Sequence, residues 1–545
     1  MLCALPALLA NGLFHDPEKR LDIPKGYYSL SSLMITFAFL SLARVKHLEG
    51  VRYLAPGEWG RMLGLDRIPE VKTLRQKLDH LSSRQFASQW MRDMSKYWMR
   101  LDEELAGVLY VDGHVNSYSG SQSVLPARFS SRNRLCVRSL MDYWVNDKEG
   151  PPFFVVTAVG TEGIIHHLME TIVPRLLQDV PRQPSEEELA TDLKLHRFVI
   201  VFDREGWSPA LFAQLWRQYR IGVITYQKGA KKETKWADAD FEEQEVDLVY
   251  QNKSKMLLAE KSFTHKDLSA TDTQPEVAAR EIRKSCDNSH QTSIITTVLI
   301  WDQSRCAGQM FARWSQENFF KYGSDEFAID SLSGHETSHA PQDETVMNPP
   351  YRDLTAKINK NRSQITKIRT TLGHLILPSN EDQEVAEFII KQSGFLTEKN
   401  ALEEERKQLL LKRKELPSRI PLSCLPPNQR PKLVSAQRNL FLNTIRIIAY
   451  RAETALVNVL RKNLMHQDEA RRILKTLFTH DADLLVDDKE KTLTVRLHHF
   501  SSRQISLAVE KILDELNKTE TIFPDTNLRL IYEMVSSSNP RSQDV

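Results

Sequence analysis

Cysteine is scarce in this chain of 545 residues, and its scarcity excludes two classes of small, cross-linked protein. The five cysteines are scattered and form no Cys-x-x-Cys pair: Cys3, Cys136, Cys286, Cys306 and Cys424. Disulfide frameworks and zinc modules both depend on closely spaced cysteines. We therefore expect neither a secreted disulfide scaffold nor a zinc-binding module.

A strong net charge is also absent. Lys and Arg total 73 and Asp and Glu total 71, so the formal charge is only +2. The molecule as a whole cannot attract a polyanion, and any nucleic-acid surface must be a local basic patch. The proportions of hydrophobic residues, 41%, and of charged residues, 26%, are ordinary for a folded protein. Collagen and a chain that is disordered throughout are excluded.

No apolar run is long enough to span a bilayer, which requires about 20 residues. The longest run, from Ser32 to Ala43, is better interpreted as a buried helix. The apolar N-terminus carries no basic segment of the kind that opens a signal peptide. We expect a cytoplasmic protein without a membrane partner.

The hydrophobic pattern changes several times along the chain. It predicts these segments: a helical N-terminal domain in 1–104, an α/β domain in 105–333, a polar linker in 334–350, an antiparallel helical hairpin in 351–416 and a small α+β domain in 432–535. The hairpin prediction rests on heptad-like apolar spacing from Leu354 to Leu375, a turn at Pro378 and a second helix dense in charge. The alternative is that these charge runs are only solvated helix faces.

Residues 56–82 contain two short helical patterns with a break before Pro69, and they resemble a helix-turn-helix. Lys72, Arg75 and Lys77 fall on the second helix, where they are predicted to contact DNA. The alternative is a plain helical hairpin within a core, because helix pairs are common and this basic set is small.

Residues 105–333 are predicted to form a mixed five-stranded sheet with flanking helices. Three strand patterns come first, and then helix, strand, helix and strand follow, an order typical of an α/β domain. Residues 228–300 interrupt this order with further strand patterns. We interpret them as a β-rich insertion rather than as part of the core of the sheet.

Two of the predicted buried strands end in an Asp that is closely followed by Gly. Asp112 lies in YVDGH and Asp203 lies in VFDREG. Strand ends are where α/β sheets present catalytic groups, and two close carboxylates repel each other unless a cation lies between them. Mg²⁺ fits such a site because it prefers oxygen ligands. The alternative is a simple turn, since Asp-Gly is a common turn dipeptide.

A third motif, RWSQENFFKY, places Arg313 and Glu317 four residues apart on one helix face. A polar Arg–Glu stripe on an otherwise aromatic helix favours a site, although an ordinary salt bridge would give the same pattern. Rival carboxylates are Glu205, Asp302 and Glu326. No GxxxxGK[ST] or GxSxG motif occurs, so there is no signal for a P-loop ATPase or for a hydrolase with a nucleophile elbow.

In this order, YVDGH, VFDREG and RWSQENFFKY resemble the three blocks of DDE transposases of bacterial insertion sequences, near the IS4 group. The resemblance implies an RNase H-like catalytic domain that cleaves and transfers DNA strands. It also implies that Asp112, Asp203 and Glu317 are the catalytic residues and bind two Mg²⁺ or Mn²⁺ ions. A tyrosine and a lysine that accompany the glutamate in that group are replaced here by Met310 and Ser324.

Arg313 matches the arginine of that signature. Lys321, one turn beyond Glu317, is predicted to take the place of the missing lysine, and His114 is predicted to support the site from the first block. The implied partners are transposon ends and target DNA, bound by a homodimer or a higher synaptic assembly in the nucleoid. The departures at Met310 and Ser324 leave open a catalytically inactive, transposase-derived DNA-binding or scaffold protein, and the hairpin leaves open a mainly oligomerising role.

The hairpin prediction can be tested by deletion of residues 351–416. We expect the shortened protein to remain folded but to self-associate more weakly, because the deletion removes the heptad-like apolar stripe. Light scattering at matched concentrations measures the two masses. Equal masses would show that the hairpin has no role in assembly.

Overall fold

The computed structural model describes residues 1–15, 26–82, 86–118, 125, 127–130, 134–158, 162–228, 235–249, 253–265, 277–286, 290–332, 337–339, 345–373, 382–426, 432–434, 437–464 and 467–535. The chain divides into two compact units. The larger unit consists of Met1–Gly120, Leu125–Glu336 and Ser435–Val545, and the smaller unit of Ser121–Val124 and Thr337–Val434.

A mixed sheet forms the centre of the larger unit, and it contains ten strands within the described residues. They are β1 (Val108–Ser117), β2 (Ala127–Ser130), β3 (Leu135–Asn146), β4 (Pro152–Ala158), β5 (Val199–Phe202), β6 (Gly222–Tyr226), β7 (Glu242–Asp247), β8 (Lys253–His265), β9 (Val277–Ser285) and β10 (Gln291–Thr296). The spatial order is β2-β3-β1-β5-β6-β10-β9-β8-β7, and β4 also pairs with β3. The expected mixed α/β architecture is confirmed.

The register between β1 and β5 brings the two predicted aspartates to one place. The strands are parallel, and Val111 pairs with Phe202. Both strands are buried apolar runs at this level, as expected for strands covered on both faces. Asp112 and Asp203 are the next residues along each strand, so they follow the same rung of the sheet.

The strands of the predicted insertion belong to the same sheet as the central strands, which corrects the expected strand number of five. β10 pairs antiparallel with β6, and β9, β8 and β7 extend the sheet from there. The physical reason is that β6 would otherwise present unpaired backbone N–H and C=O groups at an edge. The insertion follows β6 directly in sequence and satisfies that edge.

Helices surround this sheet. In the larger unit they are α1 (Leu5–Ala10), α2 (Leu30–Leu42), α3 (Pro56–Met62), α4 (Val71–Leu81), α5 (Phe86–Leu101), α6 (Ile164–His167), α7 (Val173–Asp179), α8 (Glu186–Thr191), α9 (Pro209–Tyr219), α10 (Gln303–Ala312), α11 (Trp314–Phe327), α14 (Gln437–Arg461), α15 (Ala470–Phe478) and α16 (Arg503–Lys518). Within the part of the chain that the structure describes, no helix is long and apolar enough to cross a membrane.

The N-terminal and C-terminal segments share one hydrophobic core with the sheet. The helix α14 is buried along most of its length, and Phe441 on it packs against Phe37 of α2 and Trp90 of α5, with ring centroids 5.9 Å and 5.2 Å apart. Arg451 donates a 3.0 Å hydrogen bond to the carbonyl of Pro152 at the start of β4. A three-stranded sheet, β15 (Ala482–Asp487), β16 (Thr492–Leu497) and β17 (Arg529–Met534), completes the C-terminal region.

The smaller unit contains two long helices, α12 (Pro349–Gly373) and α13 (Asp382–Lys414). They run antiparallel, because Arg413 at the end of α13 lies over the ring of Tyr351 at the start of α12, while Arg369 pairs with Glu403 at 2.8 Å. Short strands accompany the helices: β11 (Thr337–His339), β12 (Thr345–Met347), β13 (Arg419–Pro421) and β14 (Lys432–Val434). The turn expected at Pro378 lies outside the described residues.

A buried carboxyl group on β3 makes the stability of the larger unit sensitive to pH. Asp142 accepts hydrogen bonds from Asn116 Nδ2 and from Thr157 Oγ1, the latter at 2.6 Å. Burial raises the pKa of Asp142 from 3.8 to about 6, although both of these hydrogen bonds and Arg446 oppose the shift. The native state therefore favours the protonated form.

We expect the unfolding free energy to fall as pH rises from about 4 to about 6, because a raised native pKa stabilises the fold only while the group is protonated. The Asp142→Asn variant lacks this ionisable group. The free energy of unfolding of the variant, relative to that of the wild type, should therefore rise by up to roughly 3 kcal/mol between pH 4 and pH 8. Urea unfolding across that range measures the difference. The exposed Asp488→Asn variant is the control, and equal pH profiles for the two variants would contradict the assignment.

Candidate active site

Asp112 and Asp203 lie side by side, but their backbones differ. Asp203 ends β5 and opens a turn, where its Oδ1 accepts a 2.7 Å hydrogen bond from the Glu205 N–H. Its carbonyl accepts a 3.0 Å bond from Thr225 Oγ1 on the neighbouring strand. Asp112 lies within β1, which continues to Ser117 in antiparallel pairing with β3. The prediction that the first strand ends at Asp112 is wrong, because β3 continues to pair with the backbone of β1 beyond the point where β5 ends.

The carboxyl groups at this position crowd one another. Burial and the negative charge of Asp203 raise the pKa of Asp112 to about 7, against the opposing effect of Arg313. Burial and Asp203 also raise the pKa of Glu205, against Arg128 and Lys228. The site therefore concentrates negative charge where water is partly excluded, and such a site favours a bound cation.

Arg313 connects Asp112 to the predicted third acid. It lies at a break between α10 and α11, where its Nη1 is 3.0 Å from Asp112 Oδ2 and its Nη2 contacts Glu317 Oε1. Glu317 is partly exposed, whereas Arg313 and Asp112 are largely buried. The structure thus brings Glu317 to Asp112 through one guanidinium group, across two hundred residues of sequence.

His114 faces the same helix. It lies two residues beyond Asp112 on the same side of β1, and its ring stacks on Phe320 with centroids 5.1 Å apart. Its Nε2 is 3.3 Å from the Oγ of Ser324, the residue at the position of the expected lysine. α11 therefore packs against β1, with Ser324 beside His114 and with Glu317 joined to Asp112 through Arg313.

Lys321, which is predicted to take the place of the missing lysine, lies one turn beyond Glu317 on α11. It is exposed and lines a cavity of about 370 Å³ with Glu149, Tyr450 and Arg461 among others, and none of the three predicted acids contributes to the described lining of this cavity. Met310, at the expected tyrosine position, is fully buried in the core around β9 and β10.

The rival carboxylates outside the cluster have other partners. Asp302 caps α10, where it accepts a 2.6 Å hydrogen bond from the Arg305 N–H. Glu326 pairs with Arg44 at 2.8 Å and with Lys475 at 2.9 Å. Glu205 remains beside Asp203, so it is the rival carboxylate that belongs to the cluster.

Residues 1–536 match a protein family, Transposase_29, which is described as "Transposase protein". The chain belongs to this transposase family. No curated protein matches the sequence. The resemblance of the three sequence blocks to transposases is thereby confirmed, and their assignment to the IS4-like DDE group stays a prediction.

Two solved transposase structures are also similar to parts of the chain. A piggyBac transposase synaptic complex with hairpin DNA has 12% sequence identity and a TM-score of 0.31, covering 59% of this chain and 68% of that one. A Mos1 transposase paired-end complex with the left transposon end has 10% identity and a TM-score of 0.13, covering 37% and 60%. TM-scores this low do not define a shared fold.

The sequence resemblance implies that this transposase-family protein binds divalent metal ions, and the residues around Asp112 show which donors could hold them. Across the described ranges, no three His, Cys, Asp or Glu side chains are grouped closely enough to hold a metal ion. Between Asp112 and Glu317 the guanidinium of Arg313 supplies the positive charge. The donors themselves are carboxylate oxygens, the type that Mg²⁺ and Mn²⁺ prefer, and Asp203 adds to the effect of burial in raising the pKa of Asp112.

Tyr226, which the sequence patterns did not single out, ends β6 next to Asp203. Burial raises the pKa of Tyr226, and the charges of Arg313 and Glu317 also act on its hydroxyl group. The guanidinium of Arg204 lies 5.7 Å from the centre of its ring. The sequence contains a signal for Tyr226, since the buried apolar run of β6 ends in a polar side chain, as do the runs that precede Asp112 and Asp203.

The predicted basic helix is α4. Its apolar face is buried through Val71, Leu74, Leu78 and Leu81, so the helix is anchored in the core. Lys72 and Arg75 are exposed and Lys77 is partly buried, and Arg75 pairs with Glu49. The helix can therefore present Lys72 and Arg75 to a ligand, although Arg75 would have to exchange its acidic partner.

Replacing Lys72, Arg75 and Lys77 together by Ala should weaken DNA binding and flatten its salt dependence, by about 0.9 in the logarithmic slope for each phosphate that the variant no longer neutralises. Binding to a labelled duplex at several salt concentrations measures the slope. Arg503, Lys511 and Lys518, exposed residues on α16, provide a triple-Ala control that removes the same charge. Equal slopes for the two triple variants would make α4 only structural.

Proposed function

We propose that this protein is a DDE-type DNA transposase of the IS4-like group, which cleaves DNA at the ends of an insertion sequence and transfers the strands to a target. The observation that carries the proposal is the convergence of acids from separate elements. Asp112 from β1 lies beside Asp203 from β5, and Arg313 joins it to Glu317 from α11. An acidic cluster of this kind suits the handling of phosphodiesters with divalent cations.

We further propose that β4, β3, β1, β5 and β6 form an RNase H-like core. Three of these strands are antiparallel neighbours, and the next two are parallel to β1. The β7–β10 strands then lie between this core and the helix of Glu317 in sequence. This order supports the proposal because it accounts for both the five central strands and the extension of the sheet.

Asp112, Asp203 and Glu317 would hold two Mg²⁺ or Mn²⁺ ions in this proposal. When bound, such ions activate an attacking oxygen and stabilise a leaving oxygen. The protein supplies the position and the charge: β1 and β5 fix the two aspartates, and α11 carries Glu317. Arg313 holds Glu317 towards Asp112, and its charge opposes the rise in the pKa of Asp112.

The proposed partners are transposon ends, target DNA and further copies of the chain. The carboxylate cluster would receive the scissile phosphate, and α4 would contact the backbone away from it through electrostatic attraction that does not depend on base sequence. His114, beside Asp112 on the same face of β1, would border the path of the DNA strand.

A second candidate function is a transposase-derived protein that binds DNA or serves as a scaffold without cutting. Two observations favour it: the position expected to hold a lysine is Ser324, in contact with His114, and Lys321 lies at a different cavity. The two functions differ in metal-dependent strand cleavage.

We expect Asp112→Asn, Asp203→Asn and Glu317→Gln each to reduce strand cleavage to background while DNA binding persists, because each removes one anionic ligand and conserves size. Cleavage of a labelled duplex that contains the DNA flanking the gene, in Mg²⁺ and in EDTA, measures the activity. Asp302→Asn is the control and should cleave normally, since Asp302 caps a helix. Full activity of Glu317→Gln would refute the assignment, and a wild-type protein that binds but never cleaves would favour the second function.

A further inference from the structure

Gln316 immediately precedes Glu317 on α11, and its side chain is fully buried against the sheet. We infer that Gln316 is a positioning residue, whose amide fixes the helix of Glu317 on the strand that carries Asp112. The inference rests on the proposed function of these acids. It assigns a role to a neutral residue of the third motif, which is not one of the proposed metal ligands.

The amide of Gln316 reaches both strands next to Asp112. Its two Nε2 hydrogens are shared among three acceptors: the carbonyl of Tyr110 at 3.1 Å, the carbonyl of Trp144 at 3.3 Å and Asn146 Oδ1 at 2.9 Å. Tyr110 lies two residues before Asp112, and Trp144 is the partner of Asp112 in the pairing of β1 with β3. The hydrogen bonds of one amide group therefore span the strand pair on which Asp112 is held.

The orientation of this amide is fixed by its partners. The carbonyl groups of Tyr110 and Trp144 can only accept hydrogen bonds, so they require the Nε2 end of Gln316. Asn146 donates its own Nδ2 to the carbonyl of Gly150 at 2.6 Å, which leaves its Oδ1 facing Gln316. Rotation of the amide by half a turn would place oxygen against oxygen.

A second buried contact anchors the preceding helix to the same strand. The hydroxyl group of Tyr110 is within 2.9 Å of the Gln309 carbonyl and 2.7 Å of Gln309 Oε1, on α10. The helices on both sides of the break at Arg313 are thus tied to Tyr110. Arg313 lies between these two anchors, where a small shift of either helix would change its reach to Asp112.

Packing alone does not explain a polar residue at this position. Among the described residues, Gln316 Oε1 has no hydrogen-bond partner although it is buried. An unsatisfied buried acceptor destabilises a fold by about 1–3 kcal/mol, so the hydrogen bonds that the same amide donates must offset that cost. An apolar residue could not donate these directional hydrogen bonds, which fix the position of α11. That position matters because catalytic groups are sensitive to displacements of about 1 Å.

The test uses Gln316→Met in the full chain, because Met has a similar length and no donor. Residues that orient metal ligands typically change metal affinity or activity by about 10–100-fold when replaced. We expect Mn²⁺ binding, followed by electron paramagnetic resonance, to weaken by about that factor. The Mg²⁺ concentration at half-maximal cleavage should rise in parallel, while affinity for the labelled duplex stays at the wild-type value.

Asn318→Met is the matched control, because Asn318 is exposed on the same helix and should leave both metal readouts unchanged. Tyr110→Phe is the second variant, and it serves if Gln316→Met does not fold. It removes only the hydroxyl contact with Gln309 and should shift the metal dependence in the same direction by a smaller factor.

If Gln316→Met folds and retains the wild-type Mn²⁺ affinity and Mg²⁺ dependence, the positioning role is overturned. If Gln316→Met does not fold, unchanged metal dependence in Tyr110→Phe overturns it. A wild-type protein that neither binds Mn²⁺ nor cleaves DNA would instead overturn the proposed function, and the positioning role with it. Weaker metal binding by Gln316→Met and Tyr110→Phe, together with wild-type metal binding by Asn318→Met, supports the inference.

Discussion

Carboxylates gathered at the end of a buried sheet repel one another, and the candidate site depends on how that repulsion is offset. Asp112 and Asp203 follow the same rung of two parallel strands, so their charges cannot separate without loss of the β1–β5 pairing. The raised pKa of Asp112, to about 7, expresses this crowding together with burial. Arg313 supplies a compensating charge and recruits Glu317 at the same time. The proposed metal ions would meet the same electrostatic need.

The helix that carries Glu317 is held from two sides. Towards the sheet, Gln316 donates to backbone carbonyl groups around Asp112. Away from the sheet, Tyr322 contacts Glu453 of α14, a fully buried acid that also binds Arg44 at 2.6 Å and Arg471 at 3.0 Å. A buried charge requires such partners, because isolation from water is otherwise strongly unfavourable. The N-terminal and C-terminal segments therefore contribute to the site by supporting α11.

Membership of a transposase family and the geometry of the site support the proposal in different ways. The family match covers residues 1–536 and says nothing about individual side chains. The geometry concerns individual side chains: Asp112 and Asp203 come from neighbouring strands, and Arg313 joins Asp112 to Glu317. The proposal therefore rests on two kinds of support: the family match for the chain as a whole, and the positions of the acidic side chains for the chemistry.

Local sequence determined much of the site because its signals are short in range. A buried apolar run followed by Asp predicted where each aspartate lies, and the four-residue spacing of Arg313 and Glu317 predicted their contact. The long antiparallel helices of the smaller unit likewise followed from spacing along the chain. Periodicity depends on near neighbours, so it can be read without the rest of the molecule.

Tertiary structure decided everything that depends on a distant partner. Periodicity predicted strands in 228–300 but not their pairing, and β10 joined β6 because an open sheet edge requires hydrogen bonds. α11 follows the break at Arg313, and on it Ser324 contacts His114 while Lys321 lines a cavity with Glu149 and Tyr450. The buried bonds of Gln316 join residues far apart in sequence. Such contacts depend on strand register and helix rotation, which the packing of the whole unit fixes.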